Sequence, residues 1–531
     1  MHLNKTLFLS TCVAAALAAT AASAQSAGNG APEVSNGQLG PPLHSLRGAA
    51  YRPDDFAKSP REHKVHPLPF LDGPGNPTDG AVQGSSSGSA APTLGTGVLG
   101  LGQTFSGPQG NFTVNSAPPD TSGAVGATQY MQVVNSGIAV FDKTTKAVKW
   151  GPYPTNVLWQ GFGGLCEADN DGDAVVVYDK AAARWVVSQF AVTGGNLQCV
   201  AVSQTSDATG AWNRYAFDYG TAFPDYPKLG VWPDAYYITF NIFNGNTFGG
   251  AKICAYDRAK MLTGAAATQV CYQLSTSYGG VLPADADGSL APPAGSPNYL
   301  LNFTANALNL WKFHVNFATP ASSSLTGPIN IPVASFATAC GGGTCIPQAN
   351  VSQKLDSLAD RLMYRLAYRN FADGHESLVV THSVKVGTTH KNPYTGVRWY
   401  EIRSPGTTPV VYQQSTFSPD TSYRWMGSTA MDKQGNLGIG YSVSSSTLFP
   451  GIRYTGRLAG DPLNTLQAES TIITGGGSQS GSNLARWGDY SSLTVDPADD
   501  CTFWYTTEYL LNTGAFNWST RIASFKFPTC L

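Results

Sequence analysis

The chain has 531 residues, room for several ordinary domains or one large repeat fold, and carries 32 Lys and Arg against 34 Asp and Glu for a net charge of −2. Charged residues are only 12% of it, while Gly reaches 58 and aromatics 11%. That balance excludes a phosphate-seeking nucleic-acid binder and favours short strands and tight turns over helices.

Residues 1–24 hold a lone Lys5, an apolar run from Leu7 to Ala18 and the small-residue ending Ala22, Ser23, Ala24. This reads as a secretory signal peptide cleaved before Gln25. Its apolar core is shorter than the roughly 20 residues a membrane-spanning helix needs. A secreted or periplasmic protein without a membrane span is therefore expected. Residues 25–104 read as a flexible low-complexity tail or a pro-segment: LHSLRGAAYRPDDFAKSPREHKVHPLPF is followed by a Gly/Ser/Pro tract with little apolar surface to bury.

From residue 105 to 531 the texture changes to strands and turns. Turns at Gly126, Asp179, Asp234, Pro297, Asp360, Asp432 and Asp496 each lead into an alternating strand, at intervals of 53, 55, 63, 63, 72 and 64 residues. The fullest copy runs from Arg486 to Tyr509, RWGDYSSLTVDPADDCTFWYTTEY. One such sheet cannot bury both its faces, but several packed face to face in a ring can. The expected fold is all-β, a seven-bladed β-propeller behind a flexible N-terminal tail, against the alternative of paired β-sandwiches, which would show no common interval.

Cys12 leaves with the signal, so eight cysteines remain. An even number in an oxidising compartment implies disulfides. Nearest neighbours along the chain would each close a local loop, which pairs Cys166 with Cys199, Cys254 with Cys271, Cys340 with Cys345 and Cys501 with Cys530. The paired spacing of a zinc site is missing.

The stretch from Thr205 to Trp212, TSDATGAW, resembles the Asp-box turn of sialidase-like propellers, S-x-D-x-G-x-T-W, with Asp207 and Trp212 correctly separated and Gly210 one place late. The resemblance covers about eight residues and implies architecture rather than activity. Sialidase-like enzymes use an Arg cluster and a Tyr–Glu pair; Arg361, Arg424 and Arg486 with Tyr505 and Glu508 are superficially similar, with no motif aligning them residue by residue.

In a propeller, the segments that enter the innermost strands rim one mouth of the central channel. Those segments carry Asp120, Asp173, Asp225 and Lys228, Asp285 and Asp287, Lys354 and Asp356, Arg424 and Trp425, then Arg486, Trp487 and Asp489. Asp120, Asp173, Asp225 and Asp489 are the candidate catalytic residues, since two carboxyls whose environments push their pKa values apart can divide acid and base work. Arg424, Arg486 and Lys228 are candidates to hold an acidic sugar, and Trp425 and Trp487 to stack on its rings. The same residues would also serve a wall of blade-to-blade hydrogen bonds, with each Asp capping a turn.

Asp169, Asp171 and Asp173 place oxygens at alternate positions as calcium loops do, although Gly172 precedes the third ligand and no Glu follows at the required distance. Calcium is the one cofactor this sequence raises. His314, and His375, His382 and His390 around one strand, form no metal motif, and Glu401 reads first as part of an edge strand. G-x-S-x-G and G-x-G-x-x-G are both missing. The expected function is a secreted monomeric propeller that binds an extracellular polysaccharide or glycan at one mouth and cleaves it as a glycoside hydrolase or polysaccharide lyase; the alternative is a non-catalytic lectin-like or protein-binding scaffold.

Overall fold

The computed structural model describes residues 30–50, 60–69, 77–86, 91–387 and 394–531. The expected signal segment and His390 lie outside the described residues. Strands dominate, and no helix among the described residues is long and apolar enough to cross a membrane.

Among the described residues, seven antiparallel meanders follow one another along the chain. Their first strands are Ser122–Val125, Gly172–Asp179, Phe223–Val231, Leu282–Asp287, Met363–Asn370, Tyr423–Met431 and Ser492–Val495. Each first strand touches the next, and the last touches the first. The sheets therefore radiate from a closed ring, which is the arrangement of a β-propeller. Alternation explains how the ring is filled. In Phe503–Leu510, Phe503, Tyr505 and Tyr509 enter one apolar cluster while Trp504 and Leu510 enter another. In Ala235–Asn244, Tyr236, Ile238 and Phe240 face one neighbour and Ala235 and Tyr237 the other. A sheet with two apolar faces is stable only between two others.

The turn into each second strand falls where the repeat places it for six of the anchors: Gly126, Asp179, Asp234, Pro297, Asp432 and Asp496. The fifth differs. Asp360 precedes the first strand of its blade, and the true turn is at Phe371 to Gly374, between Met363–Asn370 and Glu376–Val386. An insertion before this blade, which holds the Cys340–Cys345 bond, puts an Asp turn one strand early.

The 25–104 stretch is docked wherever it forms a strand against a blade. Gln38–Leu39 pairs with Trp212–Asp218, Glu33–Asn36 with Thr268–Gln273 and Val82–Gln83 with Val410–Phe417. Thr93–Leu99 supplies the outer strand of the last blade by pairing with Trp518–Lys526. An outermost blade strand presents a row of unpaired N–H and C=O groups. Even a polar, apolar-poor segment gains ladder hydrogen bonds there, and the last of these segments joins the two ends of the ring.

All four expected disulfides are present: Cys166–Cys199, Cys254–Cys271, Cys340–Cys345 and Cys501–Cys530. The last ties the turn of the seventh blade to the C-terminus across 29 residues. Replacing Cys501 and Cys530 together by Ser should lower unfolding free energy by about 2–4 kcal/mol, the range for a loop of this length. Urea unfolding followed by Trp fluorescence measures it.

Candidate functional site

The first strands all run the same way through the ring, so their entries share one mouth. Backbone irregularity marks that mouth. Pairing slips between Gly172 and Val175, between Asp225 and Lys228, and between Trp425 and Ser428. At these bulges Asp173, Tyr226 and Met426 adopt φ of 47°, 57° and 52°, and Asp120, just before its strand, 46°. Asp tolerates the left-handed region, but Tyr and Met rarely enter it. Bulges bend a strand and re-aim its side chains, and they gather beside functional sites.

A cavity of about 230 Å³ opens at this mouth, lined by Asp120, Asp173, Asp225 and Asp489 together with Arg361 and Arg486. Hydrogen bonds stitch the blade entries together. Asn135 donates to Asp120 at 2.9 Å and accepts from the Asp173 backbone N–H at 2.8 Å. The Asp489 N–H donates to Asp120 at 2.7 Å, and Arg486 donates to Asp489 at 2.5 Å. Asp120 and Asp489 are thus tied into the wall. By contrast, no donor among the described residues reaches the Asp173 carboxyl, and Asp225 has only the His66 imidazole, 3.5 Å away. Arg486 is 5% exposed, and its Nη1 has no acceptor among the described residues.

Burial and the neighbouring Asp225 push the Asp173 carboxyl up to about 7, with Asp489 adding to the effect and Lys228 and Arg486 opposing it. Burial, then Asp489 and Asp173, holds Asp120 well above the usual carboxyl range. Just beneath, Glu508 accepts from the Gly488 N–H at 2.9 Å, and burial raises it to about 8. An acid that keeps its proton near neutral pH can act as a general acid.

Other candidates lie elsewhere. Lys228 is wholly buried below the cavity, its ammonium 3.4 Å from the Tyr226 ring centre and 3.9 Å from that of Tyr490, and burial lowers it to about 8. It cannot touch a ligand in the mouth, because the bulge after Asp225 turns it inward. Arg424 is clamped between Asp420 and Glu469, at 2.9 Å and 2.7 Å. Trp425 and Trp487 are core residues with ring centres 5.7 Å apart, and Trp487 donates to Ser442. Arg486 and Trp487 lie in the loop before Ser492–Val495, which places Arg486 on the cavity wall and buries Trp487 in the core. Tyr505 is buried and donates to Ser491.

Asp169, Asp171 and Asp173 do not gather: among the described residues no group of three His, Cys, Asp or Glu side chains is placed for a metal ion. The Asp171 carboxylate is taken by the N–H groups of Val192 and Thr193 and the Thr193 hydroxyl. Asp285 and Asp287 sit inside their strand rather than before it, and both bind Arg365 at 2.8 Å. Asp287 faces a second cavity, of about 380 Å³, whose Asp179 is paired with Arg258.

Arg361, before the fifth blade, entered the sequence reading only through the sialidase-like resemblance, and His63 and His66, from the stretch expected to be a tail, carried no site role there. Histidine is scarce, with 8 in the whole chain. Two of them three residues apart in REHKVHPLP was the signal available.

No protein-family model matches the chain, and no curated protein matches it. Solved structures resemble it only weakly. An ulvan lyase that founds a polysaccharide lyase family is 10% identical over 79% of this chain and 95% of its own, with a TM-score of 0.35. The WD40 domain of SCAP from fission yeast is 9% identical over 82% of each chain, with a TM-score of 0.33. An endo-arabinase from Bacteroides thetaiotaomicron is 14% identical over 53% of this chain and 92% of its own, with a TM-score of 0.25. Likenesses this weak carry no weight for the chemistry at the mouth.

Proposed function

We propose that the chain is a secreted seven-bladed propeller that binds an acidic polysaccharide at the entry mouth and hydrolyses it. The observation that carries this reading is that Asp173 and Asp225 share one cavity with Arg361 and Arg486. Asp173 keeps its proton near neutrality and gives it to the glycosidic oxygen as the C–O bond breaks. Asp225, the carboxylate with no donor from the blades, takes the proton of the attacking water or attacks the sugar carbon itself. Arg486, with its unused Nη1, and Arg361 hold a sugar carboxylate. The four disulfides fit an oxidising compartment.

The test is a reducing-end and unsaturated-product screen against acidic and neutral polysaccharides, run on the native chain and on Leu68→Asp, which is chosen to displace residues 61–66 from the cavity they line. Reducing ends without unsaturated products are expected from an acidic polymer. Arg486→Ala should lose at least about tenfold in kcat/KM, the value of one charge-assisted hydrogen bond, with its melting curve unchanged in shape. Unsaturated products would mean a lyase. Binding without turnover across the panel would replace the enzyme by a lectin-like scaffold.

A further inference from the structure

The mouth already has an occupant. Arg61–Glu62 pairs in parallel with Ser116–Ala117, and the His63 N–H donates to Ala117 at 2.7 Å. From there the chain crosses the cavity to the fifth blade, where the Leu68 N–H donates to Asp360 at 2.9 Å. On the way it satisfies the groups assigned above to a substrate. Arg486 donates through Nε to the His63 carbonyl at 2.9 Å, and Arg361 to the His66 carbonyl at 3.3 Å. The His66 ring lies against Asp225 and between Phe223 and Phe243, at centroid distances of 5.3 and 4.8 Å. The buried Leu68 anchors the far end. With this strap in place the cavity is about 230 Å³, below the roughly 300–1,000 Å³ of small-molecule sites, and an oligosaccharide has no room.

We propose that residues 61–68 are an intramolecular inhibitor, a peptide whose carbonyls and imidazole fill the places of an acidic glycan and which must leave before one binds. The proposal rests on the glycan reading for the identity of the ligand, but not for the strap's release.

The strap also responds to pH. His63 is partly exposed, with its ring Nε2 out of solvent and without a partner among the described residues, and it faces Arg61, Arg486, Asp171 and Asp225; desolvation first, then the two arginines, lowers it to about 4. Its docked form must be neutral. As pH falls from about 6.5 toward 4, protonation of the free strap therefore weakens docking, by up to about tenfold per unit. His66, which faces Asp225, Asp173 and Arg361, is shifted upward, chiefly by its hydrogen bond to Asp225. It favours docking in acid, and that contribution is lost as pH rises through its docked value. Solvent screening discounts the partly exposed His66, and the larger shift is that of His63, so the strap releases on acidification.

Amide hydrogen exchange on the full chain, corrected for intrinsic rate, reads this directly at His63 and Leu68. Protection should fall by at least about tenfold between pH 7.5 and pH 5, and should not fall in His63→Gln, where only the opposite contribution of His66 remains. Protection that is constant with pH in the native chain, or that falls equally in His63→Gln, would overturn the pH release. For occupancy, Leu68→Asp should label with phenylglyoxal at Arg361 and Arg486 at least about tenfold faster than the native chain at pH 8, with near-UV circular dichroism unchanged. Unchanged labelling in a folded Leu68→Asp protein sinks the inhibitor. Trigalacturonate, added to the opened variant, separates the two ideas: an opened mouth that ignores it counts against the glycan reading and leaves the strap's release standing.

Discussion

Asp173→Asn should give a protein that is more stable at pH 8 and nearly inactive. The carboxyl titrates at about 7 in the fold and near 3.9 in an unfolded chain. The folded state thus holds the proton to higher pH than the unfolded one, and stability falls as pH rises from about 4 through 7. Fully assigned to one residue, that gap is about 4 kcal/mol; shared with Asp225 and Lys228, a gain of about 1–3 kcal/mol on substitution is expected. Asn does not ionise, so urea midpoints at pH 5 and pH 8 should differ less in the variant than in the native chain. Loss of a general acid should cut turnover by about 10²- to 10⁴-fold. If Asp173 instead braced the ring, the variant would be less stable at both pH values. A group that destabilises its own fold while serving chemistry is the expected signature of a site.

Arg365→Ala should act in the opposite sense. Arg365 is buried in the channel wall, donates to Asp285 and Asp287 at 2.8 Å each, and reaches the Leu493 carbonyl at 3.2 Å, joining the fourth, fifth and seventh blades. Truncation leaves two buried carboxylates short of their main cation, with Lys180 and, further off, Arg369 still acting on Asp287. Breaking such a pair costs about 3–5 kcal/mol. The loss should be largest above pH 5 and shrink in acid: burial works against the Asp287 charge, but Arg365 and Lys180 together hold it well below the usual carboxyl range, and protonation removes the unpaired charge. Chemical denaturation across pH 3–8 checks both the size and the trend. Arg365→Met, which restores volume without charge, should not recover the stability while both aspartates remain, whereas the triple change to Met, Asn and Asn should recover part of it.

Much of the architecture was legible because a propeller is built from local units. Each hairpin closes over a few residues, so turn chemistry and alternation place it without knowledge of the rest. The disulfides followed from the same locality, as with Cys254 and Cys271, which face each other on adjacent strands. The mouth carboxylates were legible because strand entries in a ring must converge. Errors arose over side-chain direction, which a position at a strand entry does not fix. The bulge after Asp225 buries Lys228, and Trp425 and Trp487 point away from the arginines beside them.

What the sequence determined by itself was therefore the repeating strand pattern, the cysteine pairs and a group of acidic strand entries, all properties of short segments. The tertiary structure alone decided that Asp120 and Asp489 are held while Asp173 and Asp225 are free of donors from the blades. It also decided that Arg361 joins them, and that His63 and His66 reach the mouth from a segment more than 100 residues from Asp173. These depend on ring closure, which sets distances between blades that share no sequence neighbourhood. A polar segment such as REHKVHPLP has no periodicity to declare its place, because it is held by the arginines and open edges of other blades rather than by any pattern of its own.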